Sequence, residues 1–312
     1  MANSTQQGML KTYEEQFCSV EITETAHTPL ICLSVINVFL SVAAFLGNGL
    51  ILVALSKEAT LHPPSRLLLR SLATTDLCVG IVAEPLIVVY WISVMKQNWK
   101  LCRYAQSAVY LAGHILCSVS MLTLTTIAVE RLLALLLGLR YGQVVTLKRT
   151  FITITGFWVL SIVGSTMYFV DYIITFRFGY VGSLLCLAIS FVCYAKIFFT
   201  LRRKQQHNRV QHHDLCDSAT INKQFNIARY KNAVNSALWL QVALIFFYLP
   251  YVVVVTLVAA LGLSPFIYLA RQTAVTLLFT NSSLNPLLYC WKIKEVRKIV
   301  KDTVTKLYSF SS

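Results

Sequence analysis

Residues 30–56 read LICLSVINVFLSVAAFLGNGLILVALS, an apolar run without a charged side chain. A helix needs about 20 mainly apolar residues to cross the hydrocarbon core of a bilayer, and this run is long enough. Six further runs of this kind follow it along the chain. The predicted spans are 30–56, 67–93, 103–133, 150–170, 178–201, 233–260 and 267–290. The pattern predicts seven membrane-spanning helices.

The composition agrees with lipid as the main solvent. Of 312 residues, 56% are hydrophobic and only 13% are charged, and the mean hydropathy is +0.64. A soluble domain carries about 25% charged residues. The formal net charge of +14 could also suit a nucleic-acid binder. However, the charges lie in the gaps between apolar runs, and no soluble segment is large enough for a domain. We therefore expect no nucleic-acid partner.

The basic residues predict how the chain crosses the membrane. Most of the 27 lysines and arginines follow the first, third, fifth and seventh spans. Basic loops stay on the cytoplasmic side, which puts the N-terminus outside and the C-terminus inside. The chain is expected to be a multi-pass protein of the plasma membrane. The polar N-terminus predicts no cleaved signal peptide, and the triplet beginning at Asn3 predicts glycosylation there.

Three regions follow from this division. Residues 1–29 are the extracellular tail, and residues 30–290 are the seven-span domain. Residues 291–312 alternate apolar and basic side chains, which is typical of an amphipathic helix on the membrane surface followed by a cytoplasmic tail.

Charged side chains inside the apolar runs are few. They are Asp76 and Glu84 in the second span, Glu130 and Arg131 at the end of the third, and Arg271 at the start of the seventh. A charge at the centre of a membrane helix costs at least about 2.5–3.5 kcal/mol. We therefore expect each to have a partner or a function.

Short motifs in successive spans carry a resemblance to a known family. They are Gly47-Asn48, Leu72-Ala73-Thr74-Thr75-Asp76, Glu130-Arg131-Leu132, Trp158, Tyr194, Phe247-Tyr248-Leu249-Pro250 and Asn281-Ser282-Ser283-Leu284-Asn285-Pro286-Leu287-Leu288-Tyr289. In this order the chain resembles the class A (rhodopsin-like) G-protein-coupled receptors. The resemblance implies an all-α membrane protein, a seven-transmembrane helix bundle with a short amphipathic helix after the seventh span. It also implies an extracellular ligand, a heterotrimeric G-protein partner and no enzymatic activity.

The resemblance also implies residues for coupling and activation. These are Glu130, Arg131, Tyr194, Tyr248, Pro250, Asn285, Pro286 and Tyr289. Glu130 and Arg131 would form the resting ionic latch, and the two prolines would kink their helices. The chain departs from the family at two positions. The family usually has Tyr where this chain has Leu132, and Trp where this chain has Tyr248.

A second set matches the family's internal sodium site. Its residues are Asp76, Ser120, Asn281, Ser282 and Asn285. One carboxylate with neutral oxygens suits a hard monovalent cation. The alternative is a water-filled hydrogen-bond network without an ion. No cofactor is required, and sodium is expected as an allosteric ion.

The ligand set implied by the resemblance lies toward the outer ends of the spans. Its residues are Glu84, Tyr110, Gly113, His114, Cys117, Phe178, Tyr248, Tyr251, Val252, Arg271 and Val275. Glu84 and Arg271 are expected as charged contacts at the mouth, or alternatively as a structural pair. Gly113 stands where amine receptors have Asp, and Phe279 where opsins have Lys. We therefore expect neither a biogenic amine nor retinal.

The usual family disulfide cannot form in its usual place. Its third-span position holds Gln106, and the outer loop at 171–177 contains no cysteine. Cys18 and Cys102 share the predicted outer side, so a bridge between them is a hypothesis. This feature and the missing fifth-span proline, at Cys186, loosely resemble the melanocortin branch and the wider group with adenosine and lysophospholipid receptors.

Two other classes of protein compete with a receptor. A transporter or channel would also explain Asp76 and Glu84, but it would predict a repeat between two halves, which the sequence does not show. An enzyme would need a catalytic motif, and we find none in the sequence.

Overall fold

Helices make up every regular element in the described part of the chain. The computed structural model describes residues 17–57, 61–170, 172–211 and 242–292, together with Arg297 and Thr305. The predicted surface helix at 291–312 lies outside the described residues, apart from the end of the seventh helix and those two helical positions.

Each predicted span contains a helix. The first is Val20–Lys57. The second combines Pro63–Cys78, a π-helical segment Val79–Ala83 and Glu84–Met95. The third is Trp99–Leu137, followed by a 3₁₀ turn Gly138–Arg140 and the short helix Tyr141–Val144. The fourth is Leu147–Thr166 with a 3₁₀ turn Met167–Phe169. The fifth is Tyr172–Gln211, the sixth covers 242–261, and the seventh is Pro265–Lys292. Residues 233–241 of the predicted sixth span lie outside the described part.

Local sequence signals explain where several helices begin and end. Asn98 Oδ1 accepts a 3.1 Å hydrogen bond from Leu101 N at the start of the third span, and Ser264 Oγ accepts one of 3.3 Å from Ile267 N at the start of the seventh. Such caps satisfy amide groups that have no partner within the helix. Gly138 and Gly262 follow the third and sixth helices with φ of 52° and 77°, a conformation that glycine adopts readily.

The burial pattern is that of a protein dissolved in lipid. Phe39 and Phe191, in the middle of their spans, are 72% and 61% exposed, whereas Asn48 and Asp76 are completely buried. Polar groups in a bilayer must find partners inside the protein, and apolar groups can face the acyl chains. The large apolar side chains on the outside therefore indicate a lipid-facing surface.

Six helices in the described residues are long and apolar enough to cross a membrane. The seventh, Pro265–Lys292, is also 28 residues long, but it carries many hydroxyl and amide side chains. These are mostly buried, including Gln272, Thr276, Asn281, Ser282 and Asn285. The helix is therefore long enough to span, and its polar face points into the bundle.

The π-helical segment changes which residues share a face of the second span. Eight residues separate Asp76 from Glu84, which in a regular α-helix leaves them roughly 80° apart. A π-helical turn takes up roughly one more residue than an α-helical turn, so these eight residues complete about two full turns. Both carboxyl groups consequently face the interior, where each residue is 0% exposed.

Candidate ligand cavity and activation network

Asp76 is the centre of a buried polar network that joins three spans. Its Oδ2 accepts a 2.6 Å hydrogen bond from Asn285 Nδ2. Its Oδ1 accepts bonds from Ser282 Oγ at 2.8 Å and from Ser120 Oγ at 3.4 Å. Asn281 is also buried, with 3% of its surface exposed. Four of the five residues predicted to hold sodium are therefore in direct contact, and the fifth lies one turn from Asn285 on the same helix.

The first span is attached beside this network. Asn48 Nδ2 donates to Ser282 O on the seventh span at 3.0 Å, and Gly47 leaves room for Pro286. A Cβ atom placed on Gly47 would lie 2.9 Å from Pro286 Cγ. The absent side chain therefore lets the first span lie directly against the seventh-span proline.

Glu130 and Arg131 form an ion pair at the predicted inner end of the third span. Arg131 Nε lies 3.5 Å from Glu130 Oε2. Glu130 Oε1 accepts hydrogen bonds from Ser65 Oγ at 2.6 Å and from the Tyr141 hydroxyl. Glu130 is 4% exposed. Two neutral donors and one cation therefore hold this carboxylate against the second span and the loop after the third.

A cavity opens at the other end of the bundle, near the start of the third span. Its volume is about 110 Å³. Its wall is mostly apolar and aromatic, with side chains such as Val252, Val275 and Phe279. Apolar walls with a few polar groups are typical of sites for small ligands. Tyr248 lies at its floor, where its hydroxyl donates to Cys117 O at 3.3 Å.

A short N-terminal segment covers part of the mouth. Cys18 is disulfide-bonded to Cys102, which confirms the pairing suggested by their shared side. Phe17 is completely buried against Tyr268, at 6.1 Å between ring centroids. Arg271 lies over the Phe17 ring at 4.7 Å, and Tyr90 donates to Phe17 O at 3.2 Å. The bridge thus fixes an aromatic side chain beside the cavity entrance.

A sequence model of the family described as 7 transmembrane receptor (rhodopsin family) matches residues 47–174 and 170–289. The chain belongs to this family. It is therefore a multi-pass G-protein-coupled receptor, as the motifs in its spans predicted, with an extracellular ligand and a G protein as partners.

Individual relatives are distant but cover most of the chain. The receptor is 24% identical to adenosine receptor A3 of Canis lupus familiaris over 291 residues, which is 84% of this chain and 87% of that protein. The crystal structure of squid rhodopsin covers 90% of this chain with a TM-score of 0.73 at 18% identity, and 86% of the rhodopsin chain is matched. The likeness to the squid rhodopsin structure confirms the predicted all-α seven-span fold.

Most of the predicted ligand residues line the receptor's cavity. These are Tyr110, Gly113, His114, Cys117, Tyr248, Tyr251, Val252, Arg271 and Val275. Phe178 does not line it, because its side chain is 54% exposed and packs beside Gly164 on the outside of the bundle. Glu84 is not at the mouth either. It is fully buried, and it forms no ion pair with Arg271 in the described residues.

The predicted switch residues of the receptor are only partly described. Tyr194 is 4% exposed and packs with Ala128 and Ile197 at the predicted inner end. Pro250 and Pro286 lie within the sixth and seventh helices. Tyr289 is within the seventh helix, but its side chain lies outside the described part. Asn3 also lies outside the described residues. The roles assigned to all these residues stay predictions.

The sequence did not predict several contacts that the structure shows. Tyr141, which binds Glu130, could have been suspected only from its position just after the third span. Phe17 could have been suspected from its place next to Cys18. Ser165 bonds His114 at 2.8 Å and had no distinguishing signal, because a serine in a membrane helix usually bonds its own backbone.

Proposed function

We propose that this receptor detects an extracellular small molecule in the cavity and passes the signal through the Asp76 network to Glu130 and Arg131. The observation that carries the proposal is the order of these sites within one bundle. The cavity floor at Tyr248 and Cys117 lies on the outer side of Asp76, and the Glu130–Arg131 pair lies on its inner side. The third span contributes a residue to each site.

The inner pair would restrain the resting state. Glu130 has an ion pair and two hydrogen bonds there. Breaking them would free Arg131 to reach a G protein. A ligand shifts this equilibrium only by as much as it prefers one state over the other. Leu132 supplies no polar contact at its position, and Tyr141 from the following loop provides a hydroxyl to the pair instead.

Asp76 would bind sodium in the resting receptor. The fit rests on the donor set, because a completely buried carboxylate is bonded by two serine hydroxyls and the Asn285 amide, and Asn281 is buried one turn away. The ion would supply the positive charge that the network lacks. In this arrangement Ser120, Ser282, Asn281 and Asn285 would provide neutral oxygens around Asp76, which is suitable for a hard cation.

Cavity chemistry argues against two common ligand classes. A Cβ placed on Gly113 would lie 3.6 Å from Phe279 Cζ, so that the positions of the family's amine-binding Asp and retinal-binding Lys face one another. Neither carries an ionisable group here. Among the described residues that line the cavity there is no Asp or Glu to pair with an amine. We propose a ligand that is neither a biogenic amine nor retinal.

The basic loops favour an orientation with the N-terminus outside, and we place the receptor in the plasma membrane. The receptor would act by binding and exchange of conformations, without an enzymatic reaction. Guanine-nucleotide exchange on purified G proteins of several types, in membranes that contain the receptor, tests the proposal. Ligand-independent or ligand-stimulated exchange supports it, and no exchange with any type argues against it.

A further inference from the structure

Three polar atoms in the cavity wall have no hydrogen-bond partner in the described structure. They are Gln106 Oε1, His114 Nε2 and Gln272 Nε2, and each is buried. A buried polar group without a partner costs free energy comparable to a lost hydrogen bond. Such groups on residues that line one cavity favour a ligand that supplies the missing partners.

The amide of Gln272 is oriented by a neighbour. Trp91 Nε1 lies 3.3 Å from Gln272 Oε1. An indole N–H can only donate, so the atom facing Trp91 must be the amide oxygen. The NH₂ group of Gln272 is therefore left as a donor for the cavity. Gln106 has no comparable neighbour that fixes its amide in the described residues, so it can turn either atom toward a ligand.

The tautomer of His114 follows from a chain of hydrogen bonds. Ser165 Oγ donates its single proton to Ser161 O at 2.6 Å. The same Oγ lies 2.8 Å from His114 Nδ1, so Nδ1 must be the donor in that contact. In the neutral ring, Nε2 then carries a lone pair and accepts. His114 consequently offers an acceptor to a ligand O–H or N–H group.

That acceptor points to the fifth-span side of the cavity. A Cβ atom placed on Gly179 would lie only 2.7 Å from His114 Nε2. Gly179 lines the same cavity. The absence of a side chain on Gly179 therefore lets the His114 ring lie against the fifth span, and a methyl group at this position would clash with Nε2.

Charge is concentrated at the other end of the cavity. Arg271 is the single charged residue among the described residues that line it, and it lies next to Gln272 in the sequence. Its cation–π contact with Phe17 locates the guanidinium at the mouth. Arginine binds carboxylates through two parallel hydrogen bonds. The mouth therefore favours an anionic group over a cationic one.

The separation of the two ends sets the length of the ligand. Gly113 faces Phe279 across the cavity, so His114 lies at about the depth of Phe279. Arg271 precedes Phe279 by eight residues, which is about 12 Å along a helix. The wall between these levels is apolar, with Val275 and Val252.

We propose that the cavity binds a medium-length anionic amphiphile. Its carboxylate binds Arg271 and the Gln272 amide, its apolar body lies along Val275 and Phe279, and a hydroxyl at its far end donates to His114 Nε2. This inference rests on the proposed ligand-binding role of the cavity, and it adds the chemical class of the ligand.

Thermal stability of the purified full-length receptor tests the charge preference without a G protein. The probes are ω-hydroxydecanoic acid, decanoic acid, methyl decanoate and decylamine. We expect the hydroxy acid to stabilise the receptor at the lowest concentration, decanoic acid next, and the ester and amine weakly or not at all. In Arg271→Gln, we expect the affinity for both acids to fall about tenfold or more, because a charge-assisted bond is lost. Equal stabilisation by amine and acid, an Arg271→Gln receptor with unchanged affinity, or no stabilisation by either acid would overturn the proposal.

Two glycines in the fifth span provide a matched pair for the hydroxyl. Gly179→Ala places a methyl group beside His114 Nε2, whereas a Cβ on Gly182 meets nothing within 4 Å. We expect Gly179→Ala to abolish the advantage of the hydroxy acid over decanoic acid, and Gly182→Ala to retain it. An advantage that survives in Gly179→Ala would refute the place given to the hydroxyl.

The proposed ligand class and the proposed coupling to a G protein can fail separately. If nucleotide exchange depends on Arg131 but neither acid stabilises the receptor, the ligand class is wrong and the receptor function stands. If the acids bind with the expected preferences but no G protein responds, the ligand class stands and the coupling proposal is wrong.

Discussion

Asn285 of the seventh span donates a 2.6 Å hydrogen bond to Asp76 of the second, and the same carboxylate accepts from Ser120 and Ser282. We expect the Asp76→Asn receptor to lose sodium-dependent stabilisation, because the uncharged amide cannot balance a cation. In the unchanged receptor, sodium at about 100 times its Kd adds about 2.7 kcal/mol to the free energy of unfolding. Thermal unfolding in sodium and in N-methyl-D-glucamine salts of equal ionic strength measures the difference.

The control for the sodium experiment is Ser71→Ala, which removes a hydroxyl of the second span outside the Asp76 network. We expect it to keep the full response to sodium. A response of equal size in the Asp76→Asn receptor would contradict a sodium site and leave a hydrogen-bond network without an ion.

Tyr141→Phe removes one donor from Glu130 while retaining the ring. A hydrogen bond to a charged group contributes about 1.5–3 kcal/mol, so we expect ligand-independent nucleotide exchange to rise about tenfold. Tyr104 is 70% exposed, so Tyr104→Phe is the matched control, and we expect it to have no effect on exchange. Basal exchange that is unchanged or lower in Tyr141→Phe would show that this contact does not restrain the resting state.

Cys18→Ser removes a disulfide that closes a loop with a sequence separation of 84 residues. The chain-entropy model predicts a loss of about 4–5 kcal/mol for a loop of this length. We expect Cys18→Ser, Cys102→Ser and the double variant to be destabilised equally, because each loses the same bond. Thermal unfolding of the three variants is the measurement, with Cys32→Ser, a free exposed thiol, as control. Additive losses would indicate separate roles for the two cysteines.

Gly47→Ala and Gly49→Ala are the sharpest test of helix packing. A Cβ on Gly47 would lie 2.9 Å from Pro286 Cγ, and one on Gly49 would meet nothing within 4 Å. Overpacking typically costs about 1–3 kcal/mol. We expect this loss in the free energy of unfolding for Gly47→Ala and almost none for Gly49→Ala. Equal effects of the two changes would contradict the close contact between the first and seventh spans.

The fold could be predicted from the sequence because lipid imposes a simple rule. Each span must be long and apolar, so runs such as 30–56 are visible without knowledge of their neighbours. Asp76 and Arg131 were also visible, because charges are costly in that setting. Residues 20–29 were left out of the first span because they are polar, yet the first helix includes them. A helix can extend beyond the bilayer, where apolarity is no longer required.

The side to which a residue points was harder to predict. Glu84 was expected at the mouth, but the π-helical segment at Val79–Ala83 rotates it onto the face of Asp76. A single wide turn leaves little trace in composition. Phe178 was expected in the cavity, but it lies on the lipid-facing side. Lipid-facing and cavity-facing positions are both apolar, so hydropathy does not distinguish them.

Replacing Arg131 tests directly whether this receptor activates a G protein through its inner ion pair. The measurement is guanine-nucleotide exchange on a panel of purified G proteins, with Arg131→Ala compared with the unchanged receptor at equal surface expression. Arg149→Ala, which removes an exposed arginine bonded to Val144 O, is the matched control. We expect exchange on at least one G protein that Arg131→Ala abolishes and Arg149→Ala retains. Exchange that is unaffected by Arg131→Ala, or absent for every G protein with the receptor present in the membrane, would contradict it.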